Sequence, residues 1–132
     1  GVVIFSAKLE AELAELDPAD RDEMMRELGV KESALPTVIR EGYALLRLIT
    51  FFTTASKILQ AWTVPQGTKA PHAAGVIHTD FEKNFIRAEV IQTEELLRLG
   101  SESNARTQGK LRLEGKEYAV QDGDVIHFKI GA

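Results

Sequence analysis

The sequence predicts an α+β chain in two parts: a helical segment over residues 1–48 and a strand-rich domain over residues 49–132. Three observations carry this. Residues 1–48 hold ten acids and six bases, which is the whole net charge of −4, whereas residues 49–132 hold ten of each. The apolar pattern changes at the same place, from helical spacing to short β-branched and aromatic runs. Finally, 132 residues suffice for one ordinary domain, or for a small domain with a helical extension.

Each element follows from its own residues. Val2–Phe5 is a short apolar run bounded by Ser6 and reads as a buried strand end. Leu9, Leu13 and Leu16 recur at i, i+4 and i+7 with Glu10, Glu12 and Glu15 off that stripe, giving an amphipathic helix. Asp17-Pro18 restarts the chain, because Asp is a favoured N-cap and Pro at the first helical position gives up no hydrogen bond. Met24, Met25 and Leu28 form the apolar side of this second helix, and Gly29 supplies its left-handed stop. A third helix, from about Leu35 to Leu48, carries Leu35, Val38, Ile39, Leu45, Leu46 and Ile49 on one face. Gly42 on the same stripe would let a neighbour pack closely.

Beyond residue 48 the chain reads as strand and turn. Ile49–Thr54 and Ile58–Val64, separated by Ala55-Ser56-Lys57, predict a hairpin. Pro65-Gln66-Gly67 ends its second strand. A helical turn is expected over Ala73–His78, and Thr79-Asp80-Phe81-Glu82 has the capping-box pattern, so a short helix should begin at Asp80. Ile86–Ile91 returns as a strand. Thr93–Leu99 and Glu102–Gln108 predict short helices on either side of Gly100. Leu111, Leu113, Tyr118, Val120, Val125, Ile126, Phe128 and Ile130 then alternate as strands. Gly115 and Gly123 are expected at positive φ in the turns between them. Strand pair, helix, strands and a final strand is the order of a β-grasp, ubiquitin-like domain.

Composition narrows the chemistry. At 44 % hydrophobic and 27 % charged, the chain is neither collagen-like, nor a coiled coil, nor fully disordered. No apolar run approaches the roughly 20 residues of a membrane span, so no membrane partner is expected. With no cysteine, disulfides, thiolate zinc sites and cysteine nucleophiles are excluded, which fits a reducing, cytoplasmic setting. No G-x-x-x-x-G-K-[ST] or G-x-G-x-x-G occurs: Gly109-Lys110 and Gly115-Lys116 lack the upstream Gly and the following hydroxyl, so no phosphate cradle is present. No G-x-S-x-G elbow appears, and no catalytic residue is assigned.

The three histidines are His72, His78 and His127. His78, Asp80 and Glu82 can be written as a metal cluster, but they lack the i, i+4 histidine pair of a zincin. A turn histidine beside a capping box is the favoured reading, and no metal is expected. His127, between Ile126 and Phe128, points away from their face to solvent. Asp122 and Asp124 flank Gly123, where turn chemistry accounts for them better than a carboxylate pair. The basic residues are more suggestive. Arg106, Lys110, Arg112 and Lys116 cluster, with Lys110 and Arg112 on the face opposite Leu111 and Leu113, and Lys57, Lys69, Lys83 and Arg87 add cations elsewhere. A module of zero net charge can still present a local basic face to phosphates, so these are candidate RNA or ribosome contacts.

Several stretches carry a resemblance. Ala61-Trp62-Thr63-Val64-Pro65, Gly67-Thr68, Ala73 through Lys83 and Phe85-Ile86-Arg87-Ala88-Glu89-Val90 closely resemble the TGS domain of the YchF/Obg-like ATPase family. The tail, from Leu113-Glu114-Gly115-Lys116-Glu117-Tyr118 through Asp122-Gly123-Asp124-Val125 to His127-Phe128, resembles that family's C-terminus. Gly29 through Leu48 looks like its segment joining the G domain to TGS. The resemblance implies a C-terminal portion of a ribosome-associated P-loop NTPase that prefers ATP over GTP and uses Mg2+. The start at Gly1-Val2-Val3, without Met, leads us to expect a piece of something longer. Val3–Lys8 then looks like the last strand of the G domain, with Ser6-Ala7-Lys8 in the place of its SAK-like fifth motif. These three are the nucleotide-site candidates.

The resemblance implies a fragment that docks protein or RNA through TGS and does not itself hydrolyse nucleotide, with no cofactor of its own. Two alternatives stand beside it. One is a stand-alone β-grasp interaction or regulatory domain, as in the TGS modules of threonyl-tRNA synthetases and alarmone synthetases. The other is a sulfur carrier, disfavoured because the chain ends Gly131-Ala132 where such carriers need Gly-Gly.

Overall fold

A computed structural model describes residues 2–54 and 58–131. The expected break at Ala55-Ser56-Lys57, with the candidate cation Lys57, lies outside the described residues. The chain divides into two compact units, Gly1–Leu46 and Arg47–Ala132.

The first unit holds helices α1 (Ala7–Glu15), α2 (Pro18–Glu27) and α3 (Ala34–Leu45). Ser6 caps α1, its hydroxyl accepting the Leu9 N–H at 3.3 Å. Asp17 caps α2 through Oδ1, which accepts from the Ala19 and Asp20 amides at 2.9 and 3.1 Å, with Pro18 in the first turn as expected. Gly29 takes φ 68° just past α2. Glu10 of α1 accepts the Ala34 N–H at 2.8 Å, so a carboxylate on one helix satisfies an otherwise unpaired amide at the start of another. Leu13 is buried at 2 % exposure. Beside it lies a largely apolar groove of about 530 Å³, lined by Phe5, Ala14, Leu35 and Val38 among others.

Three expectations for this unit are corrected. Val2–Phe5 forms no strand, and Val2 and Ile4 are 88 % and 93 % exposed. A strand exists only where a neighbour takes up its backbone groups, and no described residue does so here. Helix α3 stops at Leu45 instead of Leu48, because Arg47 adopts φ 52° and Leu48 already begins a strand. Gly42 has open space where its Cβ would stand, so it serves no close approach.

The second unit is a five-stranded sheet in the order β2-β1-β5-β3-β4. Its strands are β1 (Leu48–Thr53), β2 (Gln60–Pro65), β3 (Phe85–Gln92), β4 (Arg112–Glu114) and β5 (Asp124–Ile130). Strands β1 and β5 run parallel in the middle, and the other pairs are antiparallel. Between β2 and β3 come α4 (Ala70–Ile77) and α5 (Thr79–Lys83); between β3 and β4 come α6 (Thr93–Leu99) and α7 (Glu102–Thr107).

Alternation sorts the side chains onto two faces. Ile49, Phe51, Val64, Phe85, Ala88, Val90 and Ile126 form the main core with Ala70, Ala73 and Ala74 of α4. Phe128 meets Phe51 and Phe85 edge-on, with centroids 6.0 and 6.2 Å apart. On the other face Ile91 and Val125 pack with Ala105 of α7, and Phe52, Leu96, Leu99 and Leu111 border them. The α+β expectation holds, with details revised. Strand β2 starts at Gln60, leaving Ile58 and Leu59 exposed. Helix α4 already begins at Ala70, ahead of the expected turn. Helix α5 is capped by His78, whose Nδ1 accepts the Asp80 N–H at 3.2 Å, and not by Thr79. Gly123 and Gly100 take positive φ, 78° in both; Gly115 does not. Tyr118 and Val120 join no strand but lace the loop to α4: Ala70 N–H donates to Tyr118 O at 2.8 Å and Val120 N–H to Thr68 O at 2.9 Å.

Candidate functional site

Two polar constellations stand out in the second unit, one on each side of the sheet. The first is assembled by strand register. Arg87 lies directly opposite Lys129, and Glu89 opposite His127. Residues paired across a sheet project to the same side, so these four share the face that α6 and α7 cover only in part. Helix α7 adds Arg106, whose Nη2 donates to Glu89 Oε2 at 2.9 Å; Lys129 Nζ is 3.5 Å from the same oxygen. The Glu89 side chain is only 10 % exposed, whereas that of Arg106 is 63 % exposed. The Arg106 hydrogen bond is the main influence holding the Glu89 carboxyl below the usual range, with Lys129 adding to it. Thr54 Oγ1 donates to Glu102 Oε1, and both residues line one small cavity with Glu89, Arg106 and His127.

The second constellation centres on Asp124, which is fully buried. Its Oδ2 accepts the Tyr118 hydroxyl at 2.6 Å and the Gln121 amide at 2.9 Å. Its Oδ1 accepts Gln92 Nε2 at 2.6 Å and Arg112 Nη2 at 3.5 Å. A buried carboxylate is tolerable because every lone-pair direction finds a donor. Burial first, and then the bond to Asp124, push the Tyr118 hydroxyl up to about 12. Arg112 also lies over the Tyr118 ring, 5.6 Å from its centroid. This network fastens the last loop to β3 and β5 and leaves no carboxylate open to a ligand. Asp122, exposed beside it, accepts the Thr50 N–H through Oδ1 at 2.8 Å.

The other expected residues scatter. Lys69 pairs with Glu117 at 2.5 Å on the loop that α4 meets. Lys110 follows α7 and acts electrostatically on Glu95. Lys83, Arg87 and Lys116 make no ion pair among the described residues. Ser6 spends its hydroxyl on the α1 cap, Ala7 opens that helix, and exposed Lys8 lies 3.8 Å from Glu12. His72 Nε2 is 3.6 Å from Glu82 Oε1, and His78 is engaged in its cap. Among the described residues no group of three or more histidines and carboxylates is placed to hold a metal ion, and no helix is long and apolar enough to cross a membrane.

Thus Arg87 and Arg106 are brought to one face, while Arg112 is drawn to the other by Asp124. Sequence reasoning missed Lys129 and the central role of Glu89. The available signal was the phase of the two strands: Arg87-x-Glu89 and His127-x-Lys129 each put polar residues on the side opposite their apolar neighbours.

Comparison with known proteins gives these features a family. Residues 48–131 match YchF-GTPase_C, described as a protein of unknown function (DUF933). The chain is 55 % identical over 128 residues to the ribosome-binding ATPase YchF of Haemophilus influenzae, covering 97 % of this chain and 35 % of that protein. It is 48 % identical to human Obg-like ATPase 1, again over 97 % of the chain and 32 % of the relative. It therefore spans about a third of the length of the curated relatives it matches. Among solved structures, the Schizosaccharomyces pombe YchF GTPase superposes with a TM-score of 0.82 at 40 % identity, over 89 % of this chain and 31 % of that one. The chain belongs to the YchF-GTPase_C family, the C-terminal region of YchF-type ATPases.

Proposed function

We propose that residues 49–132 form a TGS domain of β-grasp type that acts as a docking module for a ribosome-associated P-loop NTPase. Residues 1–48 are then the end of the G domain and its helical connection. The observation that carries this reading is the 55 % identity to a protein named a ribosome-binding ATPase, running across almost the whole chain. The β-grasp assignment is supported by the central parallel pairing of β1 with β5 and by α4 packed across the sheet.

In this reading ATP or GTP and Mg2+ bind to parts of the longer, cytoplasmic protein that carry a phosphate loop. The present residues supply Ser6, Ala7 and Lys8 at the margin of that site, and no hydrolysis of their own. The docking partner is a ribosomal subunit, reached through RNA or protein, and the exposed cations Lys83, Arg87 and Lys116 are available for it. The test is co-sedimentation of the chain with 50S and 70S particles over a range of salt. Pelleting that weakens as salt rises is expected; absence from the pellet at low salt overturns the docking role. Calorimetry with ATP should show no heat of binding to this chain, and measurable affinity would contradict the division of labour.

A further inference from the structure

Two of the three histidines lie beside a carboxylate at the corner where α4 meets α5, and the two pairs are not equivalent. His78 Nδ1 is 3.6 Å from Asp80 Oδ2, but its lone pair is committed to the Asp80 N–H at the start of α5. His72 Nε2 is also 3.6 Å from Glu82 Oε1, and neither atom has another partner among the described residues. Both of these side chains are exposed. A gap of 3.6 Å is too long for a hydrogen bond. It is close to the separation of two donors that share one ion. Bonds of about 2.1 Å meeting at a tetrahedral angle put nitrogen and oxygen about 3.4 Å apart.

A missing side chain sets where the carboxylate stands. At Gly75, one turn along α4 from His72, a Cβ would lie 2.5 Å from Glu82 Oε2 and 3.3 Å from its Cδ. Glycine within a helix is unfavourable. Here it opens a berth for the Glu82 carboxylate against α4, on the side that also carries His72. No lysine or arginine among the described residues pairs with Glu82.

We infer that His72 Nε2 and Glu82 Oε1 form a binding site for a divalent transition-metal ion. With its proton on Nδ1, His72 offers Nε2 as a neutral nitrogen donor, and Glu82 supplies a charged oxygen. One imidazole with one carboxylate suits Zn2+, whereas Mg2+ and Ca2+ take oxygen donors. Two protein donors leave the remaining positions to water, so the ion is exchangeable and not a fixed part of the fold. Once bound, it ties α5 to α4. Gly75 is a positioning residue, touching no ion itself and acting through Glu82.

The test titrates the whole chain with ZnCl2 in a non-chelating buffer, followed by long-range proton–nitrogen spectra of the histidine rings. His72 Nε2 should shift at the lowest zinc concentrations, ahead of His78 and His127, and MgCl2 should leave it unmoved. His72→Ala and Glu82→Gln should each weaken zinc binding in calorimetry at least about tenfold, since losing even a partner behind a metal ligand costs that much. Gly75→Ala keeps both donors and should still weaken binding, because the new Cβ displaces the carboxylate. His127→Ala should bind as the unmodified chain does. Amide spectra will verify that each variant keeps the fold.

No zinc-dependent shift at His72 would overturn the assignment. A shift shared equally by all three histidines would do the same, and would mean an adventitious ion only. If His72→Ala abolishes binding while Glu82→Gln and Gly75→Ala leave it unchanged, the imidazole binds alone and the paired site is wrong.

Discussion

Gly75 of α4 lies against Glu82 of α5 so closely that a Cβ at position 75 would sit 2.5 Å from Glu82 Oε2 and 3.1 Å from Glu82 Cβ. The carboxylate end can swing away, but the Cβ is fixed to the backbone of α5. Helix preference favours Ala over Gly by up to about 1 kcal/mol, which works against the clash. Gly75→Ala should therefore lower stability only slightly. Gly75→Val, whose branches cannot avoid α5, should cost about 2 kcal/mol. Urea unfolding midpoints measure both.

The Asp124 carboxylate should behave as the keystone of its loop. Asp124→Ala strands the Tyr118 hydroxyl, the Gln92 amide and the Arg112 guanidinium, and should destabilise the second unit by about 3 kcal/mol. Tyr118→Phe removes one hydrogen bond to a charged acceptor and should cost about 1.5 kcal/mol. A double-mutant cycle between the two positions should show strong coupling, since both losses act through one 2.6 Å bond. Additive effects would mean that the network is not a unit.

Alkaline pH offers an independent view of the same bond. Tyr118 is pushed from 10.0 up to about 12 in the fold, so its stabilising contribution is complete below pH 10. It is then lost as pH rises from there through 12. The phenolate absorbance band should report one late-titrating tyrosine. Tyr118→Phe should remove that late component and flatten the loss of stability over this window.

Glu89 should act at the opposite end of the pH scale. Its carboxyl is held below the ordinary 4.5 by Arg106 first and Lys129 second, so it stabilises the fold above that pH and loses this effect as acid protonates it. Glu89→Gln should cost about 2 kcal/mol at neutral pH and much less in acid, where the unmodified protein has lost the same ion pairs. A stability difference that does not depend on pH would show that packing, and not charge, is what Glu89 contributes.

In the first unit, Asp17→Ala should reduce stability by about 1 kcal/mol, through the two α2 amides that Asp17 Oδ1 now accepts. Asp17→Asn keeps the acceptor and should recover most of it. Circular dichroism at the helix minimum follows this directly.

What was legible in the sequence was what is decided locally. Asp17-Pro18 and Gly29 bracket α2, Gly100 separates α6 from α7, and the β-branched and aromatic run at β1 lies where the residues put it. Each of these depends on neighbours within one turn. Most of what was misread or missed involves partners elsewhere in the chain, the α5 cap being the local exception. Val2–Phe5 has strand-forming residues, but no described residue pairs with them. At α5 the histidine before the expected cap supplied the acceptor, because an imidazole nitrogen serves where a hydroxyl was assumed. The Glu89 cluster and the Asp124 network join residues from different strands and helices. Only the register of β3 against β5 brings them together, and that pairing spans more than thirty residues of chain.

The sheet order has a consequence for how the molecule comes into being. Strand β5 fills the centre of the sheet, between β1 and β3, yet it is the last of the five strands to leave the ribosomal exit tunnel. Until then β1 and β3 have no partner between them, and Phe51, Val90 and Ile91 stay wet. The second unit therefore cannot fold progressively during synthesis, and closes only in a late, long-range step of the kind that makes folding slow. A nascent chain stalled before Asp124 should remain open to protease, and one whose C-terminal linker is long enough to carry Ile130 out of the tunnel should become resistant.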